Sequence, residues 1–432
     1  MANMHTLHWD SEVGFGLPRR ERRSGQCVSY EPDLLEARPI IIDQGLSQRI
    51  AEVERHIRAL NGPGADALAS VARFLLRSEA IASSRIEGVA PAPKQIALAE
   101  LGTTEEVRGL SDQAKLVANN LTVVQEATSR LVDVEAVTVA DLESLHRALL
   151  PDQPHLHGIR VRQNWIGGAD HHPVDADFVP PPPDRVPELV GDLLMHLSGA
   201  AQSPLVQAAL VHAQFETIHP FSDGNGRVGR ALIHTVLARR GLTSSAVLPI
   251  SLLLATRRSD YIQGLTAYRY VGAPTSDAAV AGLHAWISTF VDAAGDAAVQ
   301  SQLIVDELSA LQAQWRERLA VHRVRQGLRE APRADSATAR ILQMLPSAPV
   351  LTSTTVRRLL GVSINAAVDA LEELMAAGVL SSRSIARGAK AYLADDLLDL
   401  VTVAERRLAS TRFDTRESPP ARPVPARPPR RS

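Results

Sequence analysis

Apolar residues recur at three- and four-residue intervals along most of this chain, a pattern that predicts a long succession of helices. Such stretches cover residues 66–81, 139–150, 251–270 and 277–318, and another begins near Arg185. In the run from Pro204 to Ile218, Leu205, Ala208, Ala209, Val211, His212, Phe215 and Ile218 fall near one face, so an amphipathic helix is expected. A second helical pattern follows Gly226, carried by Val228, Leu232, Ile233, Val236 and Leu237. Pro220 disfavours helical geometry at His219, which places that histidine at a helix exit. Residues 1–39 lack a clear period and are expected to be irregular. The texture changes at Gly158-Ile-Arg160-Val-Arg162-Gln-Asn164-Trp165-Ile166, where short β-type residues alternate. Gly167-Gly168 gives a turn, and Phe178-Val179 with Pro180 to Pro183 closes the segment, so a hairpin or flap is expected, with Trp165 buried where it serves to cover the core. No internal repeat at solenoid periods is present.

The last quarter has its own logic. Residues 323–335 are charged, contain Pro332 and read as a linker. Residues 336–345 read as a helix, and Thr352-Ser353-Thr354-Thr355 caps a short one at 356–360. Gly361-Val362-Ser363 turns into a helix at 364–378 with Ala367, Ala370, Leu371 and Leu374 inward. Val379-Leu380, Arg387-Gly388 and Ala391-Tyr392-Leu393 suggest a β-wing, and the whole resembles a winged helix-turn-helix. The tail 411–432 is Pro- and Arg-rich and lacks the apolar content to pack, so disorder is expected.

Composition narrows the class. A chain of 432 residues is ample for more than one domain. Its formal net charge of −2 gives no global pull toward nucleic acid or an anionic membrane. The single cysteine, Cys27, excludes an internal disulfide and suits a reducing cytoplasm. No signal-peptide h-region and no transmembrane run is legible, so a cytoplasmic location without membrane partners is expected.

The chemistry concentrates in His219-Pro-Phe-Ser-Asp223-Gly-Asn225-Gly-Arg227-Val-Gly-Arg230. Gly224 and Gly226 let a ligand approach the backbone closely. The turn lies at a helix N-terminus, where free N–H groups and the dipole favour an anion. Asp223 offers a hard oxygen ligand for Mg²⁺ shared with phosphates. Arg227 and Arg230 provide forked donors for phosphate charge, and His219 can take a proton from an incoming hydroxyl. A nucleoside triphosphate fits this set.

This run resembles the Fic family signature, His-x-Phe-x-Asp/Glu-Gly-Asn-Gly-Arg-x-x-Arg, at every defined position. The resemblance implies transfer of AMP from ATP, with Mg²⁺, to a Ser, Thr or Tyr hydroxyl of a protein, the chain itself included. It implies His219 as general base, Asp223 as Mg²⁺ ligand and Gly224, Asn225 and Gly226 as anion hole. It implies phosphate contacts for Arg227, a γ-phosphate contact for Arg230 and an adenine-side position for Tyr261. Ser83-Ser-Arg-Ile-Glu87-Gly88 resembles the family's inhibitory pattern, which implies that Glu87 pairs with Arg230 and misaligns ATP. The hairpin near Trp165 resembles the family's flap, which holds the target by strand addition.

The expected fold class is mainly α: a Fic helical fold with a β-hairpin flap, then a small winged helix-turn-helix-like domain. The expected boundaries are 1–110 for a region carrying the inhibitory motif, 111–322 for the catalytic part, 336–396 for the winged helix and 411–432 for the tail. Two other activities compete with AMP transfer. One is removal of AMP from proteins, with Glu87 positioning water, and the other is nucleotide-sensing transcriptional regulation. Residues 333–395 carry a formal balance of +2, but Asp369, Glu372 and Glu373 on the recognition helix would repel phosphates. DNA binding and protein docking or homodimerisation stand level there. A rival metal reading pairs Glu216-x-x-His219 with Glu143-x-x-His146 in the manner of di-iron bundles. His155, His157, His171 and His172 read as surface residues without a role.

Overall fold

The computed structural model describes residues 2–11, 18, 21–60, 65–244 and 246–400. The tail 411–432 lies outside them. Helices dominate: α1 (Gln44–Ala59), α2 (Ala65–Ile86), α3 (Pro93–Gly102), α4 (Asp112–Ser129), α5 (Val139–Leu149), α6 (Val186–Ser198), α7 (Pro204–Ile218), α8 (Asn225–Arg239), α9 (Ile250–Thr256), α10 (Arg258–Tyr268) and α11 (Asp277–Arg325). Their starts follow from local chemistry. Asp43, Ser111 and Ser276 each accept a first-turn N–H, and Thr138 with Asp141 forms a capping box on α5. Proline occupies the first turn of α3, α6 and α7, where its missing N–H costs nothing.

α7 is the centre of the molecule. All of its residues from Pro204 to Ile218 are buried, so the expected amphipathic helix is in fact enclosed on every side. α6, α8 and α11 surround it, and α8 folds back on it through the loop 219–224. The core runs through Leu210, Phe215, Leu232, Val236, Trp286 and Phe290. Gly282 lets α11 cross closely over α10, since a Cβ there would lie 1.9 Å from the Ala267 carbonyl oxygen.

Three expectations change. Residues 1–39 contain an antiparallel ribbon, β1 (Asn3–Trp9) and β2 (Gly25–Glu31), instead of irregular chain. The flap is not a regular hairpin: Ile166 and Phe178 form an isolated antiparallel bridge, and Ser29 and Val179 an isolated parallel one. Prolines 173 and 180–183 lack the N–H groups that a longer ladder needs. Trp165 is half-buried and meets Trp9 edge-on at 5.2 Å, so the ribbon covers one side of the flap.

The chain continues through α12 (Ala337–Met344), β3 (Val350–Leu351), α13 (Ser353–Leu360), α14 (Ile364–Ala376), β4 (Ser381–Ala386) and β5 (Ala389–Leu393), with sheet order β3-β5-β4. Ala367, Ala370, Leu371 and Leu374 point inward as expected. Only the first three residues of the expected linker are helical, since α11 ends at Arg325, and 326–335 are turns and irregular chain. One apolar cluster joins Phe74 and Leu75 of α2 and Trp315 of α11 to Ile341, Leu371 and Tyr392. Polar ties reinforce it: Arg318 donates to Asp396 at 2.8 Å, and Thr352 donates to Glu105 at 2.7 Å.

Candidate active site

His219 ends α7 in the left-handed region, with φ 50°, and is the one non-glycine residue with positive φ among those described. Pro220 therefore acts here by ending the helix, while His219 adopts the left-handed turn and not the extended shape usual before proline. Such a conformation persists only where its surroundings hold it. Arg160 donates to the His219 carbonyl at 2.9 Å and to that of Ile218 at 3.4 Å. Asn164 donates to the carbonyls of His219 at 3.2 Å and Phe221 at 2.9 Å. Phe221 is buried and stacks on His146 at 3.9 Å, whose Nε2 lies 2.9 Å from the Asp223 carbonyl oxygen. Gly224, with φ 79°, is the turn itself, and a Cβ there would press on Leu149 at 2.7 Å.

The imidazole of His219 is held on one edge. Asn164 Nδ2 lies 2.9 Å and Asn225 Nδ2 3.2 Å from Nδ1. Both amides are oriented by backbone carbonyls they also donate to, so Nδ1 is the acceptor and the neutral ring carries its proton on Nε2. Burial, then Arg160 and Arg269, push the ring pKa down to about 3, against the pull of Glu87. His219 is thus uncharged at neutral pH.

α8 begins immediately after Gly224. Asn225 spends its side chain on the loop: Oδ1 accepts from Phe221 N and Nδ2 donates to Phe221 O, each at 2.8 Å. This differs from a free anion-hole side chain and leaves the first-turn N–H groups as the anion donors. Asp223 is largely exposed, accepts from the Gly224 N–H at 2.6 Å and stands 3.6 Å from Arg227. Arg227 is buried with Nε and Nη1 lacking partners, so two donors remain for a ligand.

Arg230 is 1% exposed and is held through Nε and Nη2. Nε donates to Ser83 Oγ at 2.9 Å, and Nη2 donates to the Ser83 carbonyl and to Glu87 Oε1, both at 2.7 Å. α2 extends to Ile86, so Ser83 lies inside the helix and Glu87 in the turn beyond it. Gly88, with φ 79°, closes that turn. The Glu87 carboxylate lies across Gly226, since a Cβ there would be 2.0 Å from Oε1. Burial works against its ionisation, but Arg230, Arg227 and His219 together hold the carboxyl below its usual range.

Tyr261 sits against Arg230. It is 4% exposed, stacked beside His212, and its hydroxyl lies 2.9 Å from His212 Nε2. It belongs to the apolar core where α10 packs on α11. The di-metal arrangement is absent among the described residues, where no three metal-ligating side chains converge. His146 bonds a carbonyl instead, and Glu216 is buried with Oε1 unpartnered. His172 is buried as well, not a surface residue.

Residues 136–237 match the model of the Fic/DOC family. This part of the chain is a Fic domain. The chain is 32% identical over 139 residues to protein adenylyltransferase Fic of Nematostella vectensis, covering 32% of this chain and 29% of that protein. A protein of Aquifex aeolicus (strain VF5) named probable protein adenylyltransferase is 43% identical over 72 residues, which is 16% of this chain and 22% of that one. The chain thus matches less than a third of the length of these curated relatives. The crystal structure of a Fic family protein from Desulfovibrio desulfuricans G20 superposes with a TM-score of 0.50 at 23% identity, covering 82% of this chain and 98% of that one. That likeness concerns the fold. Sequence reading missed Arg160, Asn164 and Glu216 as members of the Fic site, because each lies outside the contiguous signature.

Proposed function

We propose that this protein is an autoinhibited protein adenylyltransferase, using ATP and Mg²⁺ to place AMP on a protein hydroxyl. The observation that carries the reading is Glu87 seated on Arg230 and across Gly226. A triphosphate bound at the α8 N-terminus needs the same guanidinium and the same space. Its phosphates suit the two unpartnered donors of Arg227, and Asp223 is the exposed carboxylate suited to hold Mg²⁺ with phosphate oxygens and water completing its shell. Mg²⁺ would supply charge neutralisation at the phosphates.

In the productive state the acceptor oxygen attacks the α-phosphorus, the bond from that phosphorus to the bridging oxygen breaks, and pyrophosphate leaves. The hydroxyl proton passes to His219. The resting ring opposes this twice over. Its Nδ1 lone pair is occupied by Asn164, and its basicity is low because burial, and then Arg160, disfavour the charged ring. The negative charge of a bound triphosphate would raise that basicity. Glu87 on Arg230 and the occupied Nδ1 together describe a stopped enzyme.

The test uses wild type, Glu87→Gly and Glu87→Gly/His219→Ala with Mg²⁺ and α-labelled ATP. Label on protein in the Glu87→Gly single variant alone supports transfer and its brake together. No label in any of the three, with ATP binding intact, sinks the transferase reading and favours AMP removal or nucleotide sensing.

We read the unit from α12 to β5 as a winged helix-turn-helix. Arg383 and Arg387 are exposed on the wing, whereas Glu372 of α14 is tied to Lys390 at 2.9 Å and Glu373 to Arg323. A salt-dependent shift of duplex DNA would assign the wing to phosphate contact. No shift at low salt would make the unit a protein-docking or dimerisation module.

A further inference from the structure

Arg160 is 3% exposed, and among the described residues none of its partners is a carboxylate. Its guanidinium is spent on carbonyl oxygens: His219 at 2.9 Å, Ile218 at 3.4 Å, Pro181 at 2.5 Å and Arg162 at 3.2 Å. Its backbone N–H donates to Pro220 O at 2.9 Å. A buried, unpaired cation is costly, and folded chains keep one only where it is well bonded. Two of these carbonyls are the orphaned acceptors at the C-terminus of α7, and a cation there also meets the negative end of the helix dipole. The other two belong to the flap and its return.

We infer that Arg160 is the positioning residue of the reaction centre: it fastens the flap to the end of α7 and fixes His219 in its left-handed turn. Its charge, seated on the carbonyl of His219 itself, also disfavours a second charge on that residue's ring. The inference deepens the adenylyltransferase reading and rests on it for its catalytic part. Lysine would keep the charge but not the fork that reaches four carbonyls in different directions. Glutamine would keep some hydrogen bonding but not the charge. The two substitutions therefore separate the two roles.

The charged groups facing His219 are Arg160 from the flap, Glu87 from the turn after α2 and Arg269 from the segment after α10. Glu87 favours the protonated ring, and the two arginines oppose it. Removing Arg160 leaves Glu87 facing a single arginine. The ring titration is read by NMR on ¹⁵N-histidine protein, with the His219 signal assigned by its loss in His219→Gln. In Arg160→Gln the midpoint should rise by about one unit or more. In Arg160→Lys it should stay at the wild-type value. In the Glu87→Gly background, Arg160→Lys should lower the self-labelling rate about a hundredfold, the scale of a base displaced by an ångström. The acid limb of its pH profile should not move.

An unchanged midpoint in folded Arg160→Gln overturns the electrostatic role. A full labelling rate in Arg160→Lys overturns the positioning role, and this arm decides alone if Arg160→Gln does not fold. The titration requires no turnover. A Glu87→Gly protein that labels nothing therefore counts against the adenylyltransferase reading, and the NMR arm still judges Arg160.

Discussion

Glu216 shows what the central helix tolerates beside the active site. It lies on α7, 7% exposed, with Oε1 unpartnered, and burial pushes its carboxyl up to about 7 despite Arg230. The native state therefore holds a proton that an unfolded carboxyl releases near its ordinary value of 4.5. Stability from this group is fully present below that ordinary value and is lost as pH rises through about 7. Glu216→Gln should accordingly be more stable than wild type at pH 8, by about 1–3 kcal/mol, with the gain shrinking toward pH 5. Urea unfolding at the two pH values checks this, and equal gains at both would refute it. The signature from His219 to Arg230 was legible at this scale because it is contiguous. Arg160 and Glu216 were not, since their importance arises from neighbours brought in by folding. Nothing local distinguishes a cation that serves four buried carbonyls from one that faces water.

Helices were read well where period and caps agree. The run Pro204–Ile218 has the bounds its prolines imply, and α14 turns its expected residues inward. The ribbon β1–β2 escaped notice because its pairing joins segments at opposite ends of a long intervening stretch, from Asn3 with Glu31 to Trp9 with Gly25. The flap's alternation suggests a strand even where prolines remove the ladder donors, so the expected hairpin reduces to an isolated bridge between Ile166 and Phe178. Crossings between helices follow the same division. Gly282 on α11 would place a Cβ 1.9 Å from the Ala267 carbonyl oxygen, a backbone atom that cannot move aside cheaply. Gly295, on the same helix, would meet only the two Val53 methyls, at 3.3 and 3.6 Å. Gly282→Ala is expected to cost about 2 kcal/mol. Gly295→Ala is expected to be neutral or to stabilise by up to about 1 kcal/mol through helix propensity. Thermal melts of the two variants separate these cases, and similar melting points would contradict the crossing argument.

The whole molecule is less divided than its sequence suggests. Arg323 opens the charged stretch that reads as a linker, yet it lies within α11 and pairs with Glu373 of α14. Trp315 is fully buried, and its Nε1 donates to Asp396 at 3.3 Å. The part bearing the Fic domain and the unit from α12 to β5 thus share one apolar cluster. Calorimetry should show them unfolding in a single transition. Two separable transitions would mean that the shared core is energetically weak. Loss of residues 336–432 should expose Trp315, Leu319 and Leu308 and lower solubility, measured as aggregation on concentration. No described helix is long and apolar enough to cross a membrane.

The sequence by itself determined the mainly helical class, the loop-at-helix-start form of the Fic signature and the turn that presents Glu87. Each depends on residues within a few positions of one another, where period, capping and glycine geometry act. Tertiary structure alone decided that Glu87 meets Arg230, that Tyr261 stands in the core, that the last unit is welded to α11, and that Arg160 reaches the end of α7. Those outcomes join residues far apart in the chain, and burial and charge acquire their strength only once the fold has excluded water between them.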